Sequence, residues 1–398
     1  MMRRMPNTKS TPAPGAVVLG GDYQGLGIVR SLGRRGIPVC VIDDEQSISR
    51  WSRYATLALR VEDLSDEEAI VAAILQAADR HSLEGWVLFP TRDEIVAAIS
   101  RNRDVLTPHF RVPTPDWDTV RWALDKRNTY QLAVELGIPT PWTAWPEDEA
   151  ELETLDLQYP VVVKPAIKDR FLKKTGAKAW LVDSPRQLAD RFAEARRIVP
   201  KGEVMLQELI PGTGEQQYAY CALFKEGRAL ASMSARRRRQ HPWEFGRAST
   251  YAETIGHDEL EASSLQFLTR MGYYGLVEIE YKQDRRDGAF KLLDVNPRTW
   301  GYHTLGAAAG VDFSALLYRD QTGDDISPSR ARPGVSWLRL LTDLPTGLVD
   351  VRARRISLAS YVASLRAANT EAVWDKHDLK PWLSELALVP YLIAKRGF

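Results

Sequence analysis

Apolar runs and helical segments alternate in the first quarter of the chain. Ala16–Leu19 is a run of four apolar residues that leads into glycines at positions 20, 21, 25 and 27. Ile28–Arg35 then has helical periodicity, and Pro38–Ile42 is the next apolar run. Further runs lie at Trp86–Phe89 and Val161–Val163. This order is typical of β-α-β units and predicts an α/β region with a mostly parallel sheet.

The pattern changes after Pro115. Trp117–Leu136 is predicted to be one helix. Farther along, strand-like segments are joined by short polar loops at Glu226-Gly227 and Asp287-Gly288, which are typical of hairpins. The second half is therefore predicted to be α+β with antiparallel strands.

The end of the chain carries no motif that we can connect to chemistry. A Pro-, Ser- and Arg-rich stretch up to residue 334 predicts a linker, and the rest follows as an appendage. Its apolar segment Leu386–Ala394 falls short of the roughly 20 residues of a membrane span. Contact with a membrane surface is one interpretation, and docking on the protein itself is favoured. For the whole appendage, coverage of an acceptor site, dimerisation, and docking to a membrane or a partner enzyme are open alternatives.

Composition and charge narrow the function classes. The 398 residues carry 53 Lys and Arg against 52 Asp and Glu, a net charge of +1. A dedicated nucleic-acid binder has a visibly basic balance, so that class is disfavoured. Cys40 and Cys221 lie in apolar surroundings, which predicts buried reduced thiols and favours a cytoplasmic location. Residues 1–15 lack the apolar core of a secretory signal and are predicted to be a disordered lead.

The glycine-rich turn at residues 20–27 supports one alternative function. It sits where a dinucleotide-binding fingerprint would, with Asp43 or Asp44 after the second strand to contact a ribose. Its spacing departs from G-x-G-x-x-G, however, and a tight strand-to-helix turn needs glycines in any case. A nicotinamide-dependent oxidoreductase is therefore a minority hypothesis.

A stronger signal comes from the two segments on either side of the Asp287-Gly288 turn. Period-two alternation places Glu278 and Glu280 on one face of the first strand, and Asp294 and Asn296 on one face of the second. Three converging carboxylates are destabilising unless a cation lies between them. Hard oxygen ligands of this kind suit Mg²⁺, which proteins hold with one or two carboxylates together with phosphate oxygens. The pair of segments therefore predicts a magnesium site.

Two lysines and a polar strand end fit a nucleotide at that site. Lys164 follows the run Val161–Val163, where a phosphate-binding lysine is well placed, and Lys126 begins a helical segment. Either lysine alone is as well explained by a solvated surface. The segment from Gln207 to Gly212 ends another strand with a polar pair and a Pro-Gly turn, which suits contact with an adenine edge and ribose hydroxyls.

In this order the motifs resemble those of the ATP-grasp superfamily. They are a lysine at the start of the first helix, Val-Val-Lys-Pro, Gln-Glu-x-x-Pro-Gly, Val-Glu-Ile-Glu and Leu-Asp-Val-Asn-Pro-Arg, within about residues 16–325. The chain is most similar to carboxylate–amine ligases akin to D-aspartate ligase and to the carbamoyl phosphate synthetase ATP-binding halves. The resemblance implies a combined α/β and α+β ATP-grasp fold. It would have a Rossmann-like preATP-grasp domain at 16–115 and an ATP-grasp domain at 116–325. The latter would contain a small lid subdomain at about 142–209 and a C-terminal antiparallel-sheet nucleotide-binding subdomain, and 326–398 would be linker and appendage.

The resemblance also implies roles for individual residues. Six would contact ATP, through its phosphates (Lys126, Lys164), its adenine (Gln207, Glu208, Leu209) or its ribose (Glu215). Three would hold Mg²⁺, namely Glu280, Asp294 and Asn296. The usual acid at the position of Asp294 is Glu, so whether one or two ions are bound is open. Arg298 would face the transferring phosphoryl group or the acyl phosphate, where its planar donors suit the developing negative charge.

Four consecutive arginines occupy residues 236–239. Alternation along a strand sends Arg237 and Arg239 to one side and the other two to the opposite side. We expect Arg237 and Arg239 to reach a substrate carboxylate or the γ-phosphate, and a surface patch is the alternative. Glu278 lies two residues before a predicted metal ligand, and we expect it to contact the amine substrate or to support the metal.

These residues together predict an ATP- and Mg²⁺-dependent carboxylate–amine ligase. It would form an amide through an acyl phosphate and release ADP and phosphate. Its partners would be small carboxylate and amine substrates, with amino acids as candidates, and it would use neither nucleic acid nor a transmembrane segment. A homodimer is compatible with the sequence. The alternatives are the nicotinamide-dependent oxidoreductase and a non-catalytic ATP-binding protein.

Overall fold

The computed structural model describes residues 13–212, 214–241, 246 and 248–396. Three sheets organise them: a four-stranded parallel sheet, a four-stranded antiparallel sheet and a mixed sheet of eight strands. Residues 1–12 of the predicted lead lie outside this part of the chain. Within it, no helix is both long and apolar enough to cross a membrane.

The first sheet has the predicted parallel arrangement. Its elements are β1 (Ala16–Leu19), α1 (Tyr23–Gly33), β2 (Val39–Asp43), β3 (Leu57–Arg60), α2 (Glu67–His81), β4 (Val87–Pro90), α3 (Asp93–Arg101) and α4 (Arg103–Leu106). The strand order is β3-β2-β1-β4, and all three pairings are parallel. Val18 packs in one core with α1, and Val17 packs in another with α2 and α3. Burial of both faces explains why β1 and β4 are apolar throughout.

The predicted helix over residues 117–136 is two helices, α5 (Trp117–Leu124) and α6 (Lys126–Glu135). Asp125 separates them in an extended conformation, and its carboxylate accepts the Arg127 amide at 3.0 Å. An aspartate in this position caps the second helix. The break buries Lys126 at the first position of α6, where it is 8% exposed.

The second sheet is small and antiparallel. Its elements are β5 (Thr143–Ala144), α7 (Glu149–Leu152), β6 (Val161–Pro165), α8 (Lys168–Thr175), β7 (Trp180–Val182), α9 (Pro185–Arg196) and β8 (Val204–Glu208). The strand order is β5-β8-β6-β7. Phe171 and Phe192 are fully buried in its core. Strand β6 ends beside Lys164, so this sheet positions that lysine.

The third sheet carries the two predicted hairpins. Its elements begin with β9 (Gln217–Lys225), β10 (Arg228–His241), β11 (Ala248–Ile255), α10 (Asp258–Met271), β12 (Gly275–Gln283), β13 (Phe290–Asn296), α11 (Thr304–Ala308) and α12 (Phe313–Thr322). They end with β14 (Ser329–Arg330), β15 (Ser336–Leu338), α13 (Leu340–Arg352), α14 (Leu358–Ala367), β16 (Thr370–Glu371), α15 (Lys380–Ala387) and α16 (Val389–Arg396). The strand order is β13-β12-β9-β10-β11-β15-β16, with β14 beside β10. Both hairpins, β9–β10 and β12–β13, are antiparallel as predicted.

The C-terminal residues belong to the body of the protein. The predicted linker contains β14, which pairs with β10, and β15 extends the sheet at β11. Trp337 is fully buried, and Asp378 accepts a hydrogen bond from Arg30 of α1 at 3.0 Å. Composition alone predicted a linker, because proline and serine frequency does not reveal which backbone groups find a strand partner.

Candidate functional site

The β12–β13 hairpin brings the predicted polar residues together. Glu278 lies opposite Asn296 and Glu280 lies opposite Asp294 in the antiparallel register. The Asn296 amide nitrogen donates to one oxygen of Glu278 and to one of Glu280, at 3.1 Å each. Cross-strand partners share a face of the sheet, so the four side chains form one cluster.

Two cationic side chains from other elements compensate the negative charge of this cluster. Lys126 Nζ lies 2.7 Å from Asp294 Oδ1, and Arg237 Nη2 lies 3.2 Å from Glu280 Oε2. The Lys126 and Arg237 side chains are each only 10% exposed. Burial opposes the charge of Arg237, but Glu280 outweighs it and raises the arginine pKa above its ordinary value. The structure thus pairs each of these two carboxylates with a buried cation.

Arg298 connects the cluster to the N-terminal sheet. Its guanidinium donates to Asp93 at the start of α3 and, at 3.2 Å, to the Asn296 side-chain oxygen. Burial lowers the arginine pKa, but the charge of Asp93 reverses this effect and raises it above its usual range. Asp93 was not recognised from the sequence, because an acid in the first turn of a helix is ordinary.

Lys164 lies at the end of β6, next to this cluster. Burial, and secondly the positive charge of Lys126, lower its pKa from 10.5 to about 7. Asp294 acts in the opposite direction without restoring the ordinary value. A buried lysine whose charge is destabilised in this way is suited to a site that receives an anion.

Glu278 is the most enclosed carboxylate of the cluster. It is 4% exposed and accepts a hydrogen bond from the Tyr302 hydroxyl. Burial, and then the neighbouring charge of Glu280, raise its pKa from 4.5 to about 7. Tyr302 follows the last motif by four residues, and nothing in the sequence pattern singled it out. A carboxyl group with a pKa near neutrality can exchange a proton at physiological pH.

A cavity of about 270 Å³ lies beside Lys164 and is lined by Gln207, Glu208 and Leu209, as predicted for an adenine pocket. The side chains of the first two already have protein partners. Gln207 donates to the Tyr130 hydroxyl at 3.0 Å, and Glu208 accepts from Lys291 at 2.7 Å.

The opposite rim of this cavity contains one residue that sequence reasoning missed. Lys282 lines the cavity, and burial lowers its pKa to about 8. Its ammonium donates to the Ile210 carbonyl at 2.7 Å. Glu215 is the exposed residue of the turn Gly214–Gln216, whose other two residues are buried, and it is Gly214 of that turn that lines the cavity.

Arg239 is placed differently from Arg237. A bulge interrupts the β10–β11 register between them, so that Arg237 lies opposite Ala252 and Arg239 lies opposite Tyr251. Adjacent residues of β11 point to opposite faces, and the two arginines therefore do so as well. Arg239 forms two hydrogen bonds of 2.8 and 2.9 Å with Asp343 of α13. The expectation of a shared face does not hold, and the geometry favours a structural role for Arg239.

Side chains of the protein occupy the space around the glycine-rich turn at residues 20–27. The Gly21 amide donates to Asp43 at 2.6 Å, where a dinucleotide phosphate would need it. Asp43 and Asp44 are both paired with Arg92. A Cβ on Gly27 would lie 2.6 Å from the His303 ring. Close packing therefore explains these glycines without a bound nicotinamide cofactor.

A second cleft, of about 710 Å³, is lined by both members of the Lys126–Asp294 pair. The N-terminal sheet contributes Asp93 and Glu94 to its walls, and the small antiparallel sheet region contributes Lys173 and Glu203. The cleft thus reaches the carboxylate cluster at Asp294.

The donor set at the cluster fits a hard cation. The described residues contain no group of three His, Cys, Asp or Glu side chains arranged to hold a metal. Glu280, Asp294 and Asn296 supply two carboxylates and an amide, which is a set that Mg²⁺ completes with phosphate oxygens. The Asn296 side-chain oxygen now accepts from Arg298. The amide therefore has to rotate for that oxygen to face the carboxylates.

Comparison with curated proteins gives one informative relative. No protein-family model matches the chain. D-aspartate ligase from Enterococcus faecium (strain Aus0004) is 21% identical over 335 residues, which is 81% of this chain and 79% of the relative.

Solved structures resemble the chain over a similar length. L-amino acid ligase from Bacillus licheniformis is 16% identical with a TM-score of 0.62, covering 81% of this chain and 78% of that one. N5-carboxyaminoimidazole synthetase from Staphylococcus aureus, complexed with ADP, is 13% identical with a TM-score of 0.62, covering 84% and 83%. The biotin carboxylase domain of Hydrogenobacter thermophilus 2-oxoglutarate carboxylase, with MgADP, is 16% identical with a TM-score of 0.64, covering 81% and 73%. These structures confirm the predicted fold, and with the curated relative they do not favour the oxidoreductase.

Proposed function

We propose, from the premise that this chain has the ATP-grasp fold, that it is an ATP-dependent carboxylate–amine ligase of the ADP-forming type. The observation that carries the proposal is the convergence of Glu280, Asp294 and Asn296 with Lys126, Lys164 and Arg298 at one point. Two cavities adjoin this group: one is lined by Lys164, and the other by Lys126 and Asp294. A nucleotide and its acceptor need this arrangement if a phosphoryl group is to pass between them.

In this proposal ATP lies with its base in the cavity beside Gln207 and Leu209. Lys164 and Lys126 would then contact its phosphates, because both ammonium groups interact with Asp294 of the carboxylate cluster. The side chains of Gln207 and Glu208 form hydrogen bonds with other protein residues, and so they stabilise the cavity wall instead of binding the base. Glu215 is proposed as the contact to the ribose, from its exposed position at the rim.

Mg²⁺ would be held by Glu280, Asp294 and Asn296, and it would neutralise charge on the phosphate oxygens. Two of the solved relatives contain ADP or MgADP. On binding, Lys126 and Arg237 would exchange their carboxylate partners for phosphate or substrate oxygens. Arg298, which Asp93 holds in place, would donate toward a transferring phosphoryl group.

The carboxylate and amine substrates belong in the cleft between the N-terminal sheet and the Lys126–Asp294 pair. The substrate carboxylate would attack the γ-phosphorus, and the P–O bond to ADP would break. The amine would then attack the acyl phosphate carbon and expel inorganic phosphate. Glu278 would accept the proton that the amine loses, because a carboxyl group with a pKa near 7 can take up a proton at physiological pH.

The domain organisation follows the same proposal. Residues 16–115 and 116–325 would be the preATP-grasp and ATP-grasp domains, with about 142–209 as a lid that excludes water from the acyl phosphate. A cytoplasmic location, where ATP is available, is proposed with them. D-aspartate ligase and L-amino acid ligase suggest amino acids as substrates.

The test is ADP release from the purified chain with pairs of amino acids and small amines, with and without Mg²⁺. Mass spectrometry should identify a product equal to carboxylate plus amine minus water. Glu280→Gln should abolish turnover. Glu253→Gln, which removes an acid from strand β11 of the same sheet, should not. ATP binding without ADP release from any pair would instead indicate a non-catalytic ATP-binding protein.

A further inference from the structure

Helix α13 buries its polar face and exposes its apolar face, which is the reverse of an ordinary amphipathic helix. Its buried residues are polar or small, namely Thr342, Asp343, Thr346, Gly347 and Asp350. Its outward residues include Leu344, Leu348 and Val349, which are 45%, 53% and 56% exposed. Helix α10 of the same chain has the usual arrangement and buries Leu260, Phe267, Leu268 and Met271. Packing within the chain therefore does not account for the leucines of α13.

Specific contacts fix this orientation. Asp343 accepts two hydrogen bonds from Arg239, and Thr346 Oγ1 lies 3.1 Å from His241 Nδ1. Tyr361 of α14 packs so closely on Gly347 that a Cβ there would lie 2.2 Å from its ring. Turning the helix over would leave buried polar groups without partners, which is costly. The apolar face is thus held toward the outside.

The surface around these leucines is cationic. In residues 340–370 the only acids are Asp343 and Asp350, and both are buried in ion pairs with arginines. Arg352, Arg354 and Arg366 of the same stretch are exposed. Leu358, the first residue of α14, is 58% exposed. The outward face of the α13–α14 pair therefore combines leucines with arginines.

The C-terminal helices continue the pattern. Helix α15 buries Pro381 and Glu385 and exposes Leu383 and Leu386, at 55% and 44%. Glu385 accepts a hydrogen bond of 2.8 Å from Arg339, the residue before α13. This contact brings α15 to the start of α13. The exposed leucines of the two helices thus belong to adjoining parts of the molecule.

We propose that α13 and α14, extended by α15, form a docking surface for a membrane that contains anionic lipid. Leucines and arginines on one helical surface match the acyl boundary and the negative headgroups of such a membrane. A second copy of the chain on the same patch would place its arginines against these arginines, which like-charge repulsion disfavours. The proposal does not depend on the ligase function.

The test is flotation of the full chain with vesicles of phosphatidylcholine containing about a third phosphatidylglycerol, against vesicles of phosphatidylcholine alone. We expect binding to the anionic vesicles and its weakening by salt. Leu344→Gln with Leu348→Gln should remove most of the binding. Arg352→Gln with Arg354→Gln should weaken it on the order of tenfold or more, because each arginine near an anionic surface contributes to binding.

Matched controls come from exposed residues elsewhere on the chain. Val105→Gln in α4 and Arg80→Gln in α2 should bind as the wild type does. Circular dichroism melting shows whether each variant is folded. Wild-type protein that stays with the soluble fraction, or α13 variants that float as well as the controls, would overturn the proposal. If the wild type binds no vesicles but forms a dimer that the leucine variant loses, the surface is an interface with a second copy of the chain. If the wild type binds an acidic protein and no vesicles, the surface is a docking site for that protein.

Discussion

Arg237 and Arg239 lie two residues apart on β10, and the structure predicts different consequences for replacing each by glutamine. Arg239 binds Asp343, whose side chain is fully buried, and its guanidinium lies 4.6 Å from the Tyr251 ring and 5.1 Å from the Tyr361 ring. Removing one partner of a buried ion pair leaves the other charge without compensation, at a cost of about 3–5 kcal/mol. Arg239→Gln should therefore lower the free energy of unfolding by that amount.

Arg237→Gln should instead impair catalysis. Its guanidinium faces Glu280 within the carboxylate cluster, where the proposed function needs a fixed positive charge. Loss of one preorganised donor from an active site costs about 10²–10³ in kcat. Arg237→Gln should also lose some stability, because it leaves Glu280 without its largely buried partner. A loss of turnover therefore distinguishes Arg237 from Arg239, whose replacement should affect stability alone.

Urea denaturation and steady-state ADP release, measured on the same preparations, provide the comparison. Arg238→Gln is the matched control, because Arg238 is 38% exposed and pairs with Glu253 at the surface, where ion pairs contribute less than about 1 kcal/mol. The double variant Arg239→Leu with Asp343→Leu should regain stability, since it leaves no buried charge unpaired. An Arg239→Gln protein that keeps its stability but loses turnover would refute this reasoning. It would instead support the prediction from the sequence that Arg237 and Arg239 both contact the substrate or the γ-phosphate.

Three further predictions concern charges of the site. Burial and the charge of Lys126 lower the pKa of Lys164 to about 7, so ATP binding at pH 8 should be accompanied by uptake of about one proton. Calorimetry in buffers of different ionisation enthalpy measures this uptake. Lys164→Met should abolish it, and an unchanged uptake in that variant would contradict the assignment. The raised pKa of Glu278 means that the folded protein binds more protons than the unfolded chain between pH 4.5 and about 7, so its contribution to stability is present below pH 4.5 and is lost as the pH rises through 7. Glu278→Gln should lack this pH dependence in its urea midpoints, and equal slopes in both proteins would count against it. Asp294→Asn should raise the Mg²⁺ concentration needed for half-maximal ADP release, and a titration curve identical to that of the wild type would remove Asp294 from the metal site.

The parts of the fold that the sequence predicted are those in which local pattern and tertiary burial agree. The parallel N-terminal strands are apolar on both faces, and the two hairpins have turn residues at the point where alternation reverses. The Glu278–Asn296 and Glu280–Asp294 pairs follow from that alternation, since register and periodicity together fix the facing side chains. By contrast, Lys126 and Lys164 could be associated with the cluster only through the family resemblance. Tertiary packing brings these lysines there, and no local sequence pattern reveals it.

The parts that were missed depend on departures from regular geometry. One additional residue in β10 reverses the alternation that the prediction for Arg239 assumed. A single extended residue, Asp125, divides a helix whose apolar periodicity continues across the break. Helix α13 exposes Leu344 and Leu348, and any prediction from hydrophobic periodicity would bury them. For Arg239 and for α13 the deciding contact is distant in sequence, namely the ion pair between Arg239 and Asp343.

The way charge is distributed in the site determines how substitutions there should be interpreted. Glu280 and Asp294 are already paired with Arg237 and Lys126, and Arg298 is paired with Asp93. A ligand that enters must therefore exchange these partners, so that its affinity depends on the difference between two sets of ion pairs rather than on attraction to unpaired charge. Because every pair is largely buried, removing one member both deletes a ligand contact and leaves a charge uncompensated. Neutral substitutions at the pairs should consequently be made in both members together, so that an effect on turnover can be assigned to chemistry and separated from an effect on folding.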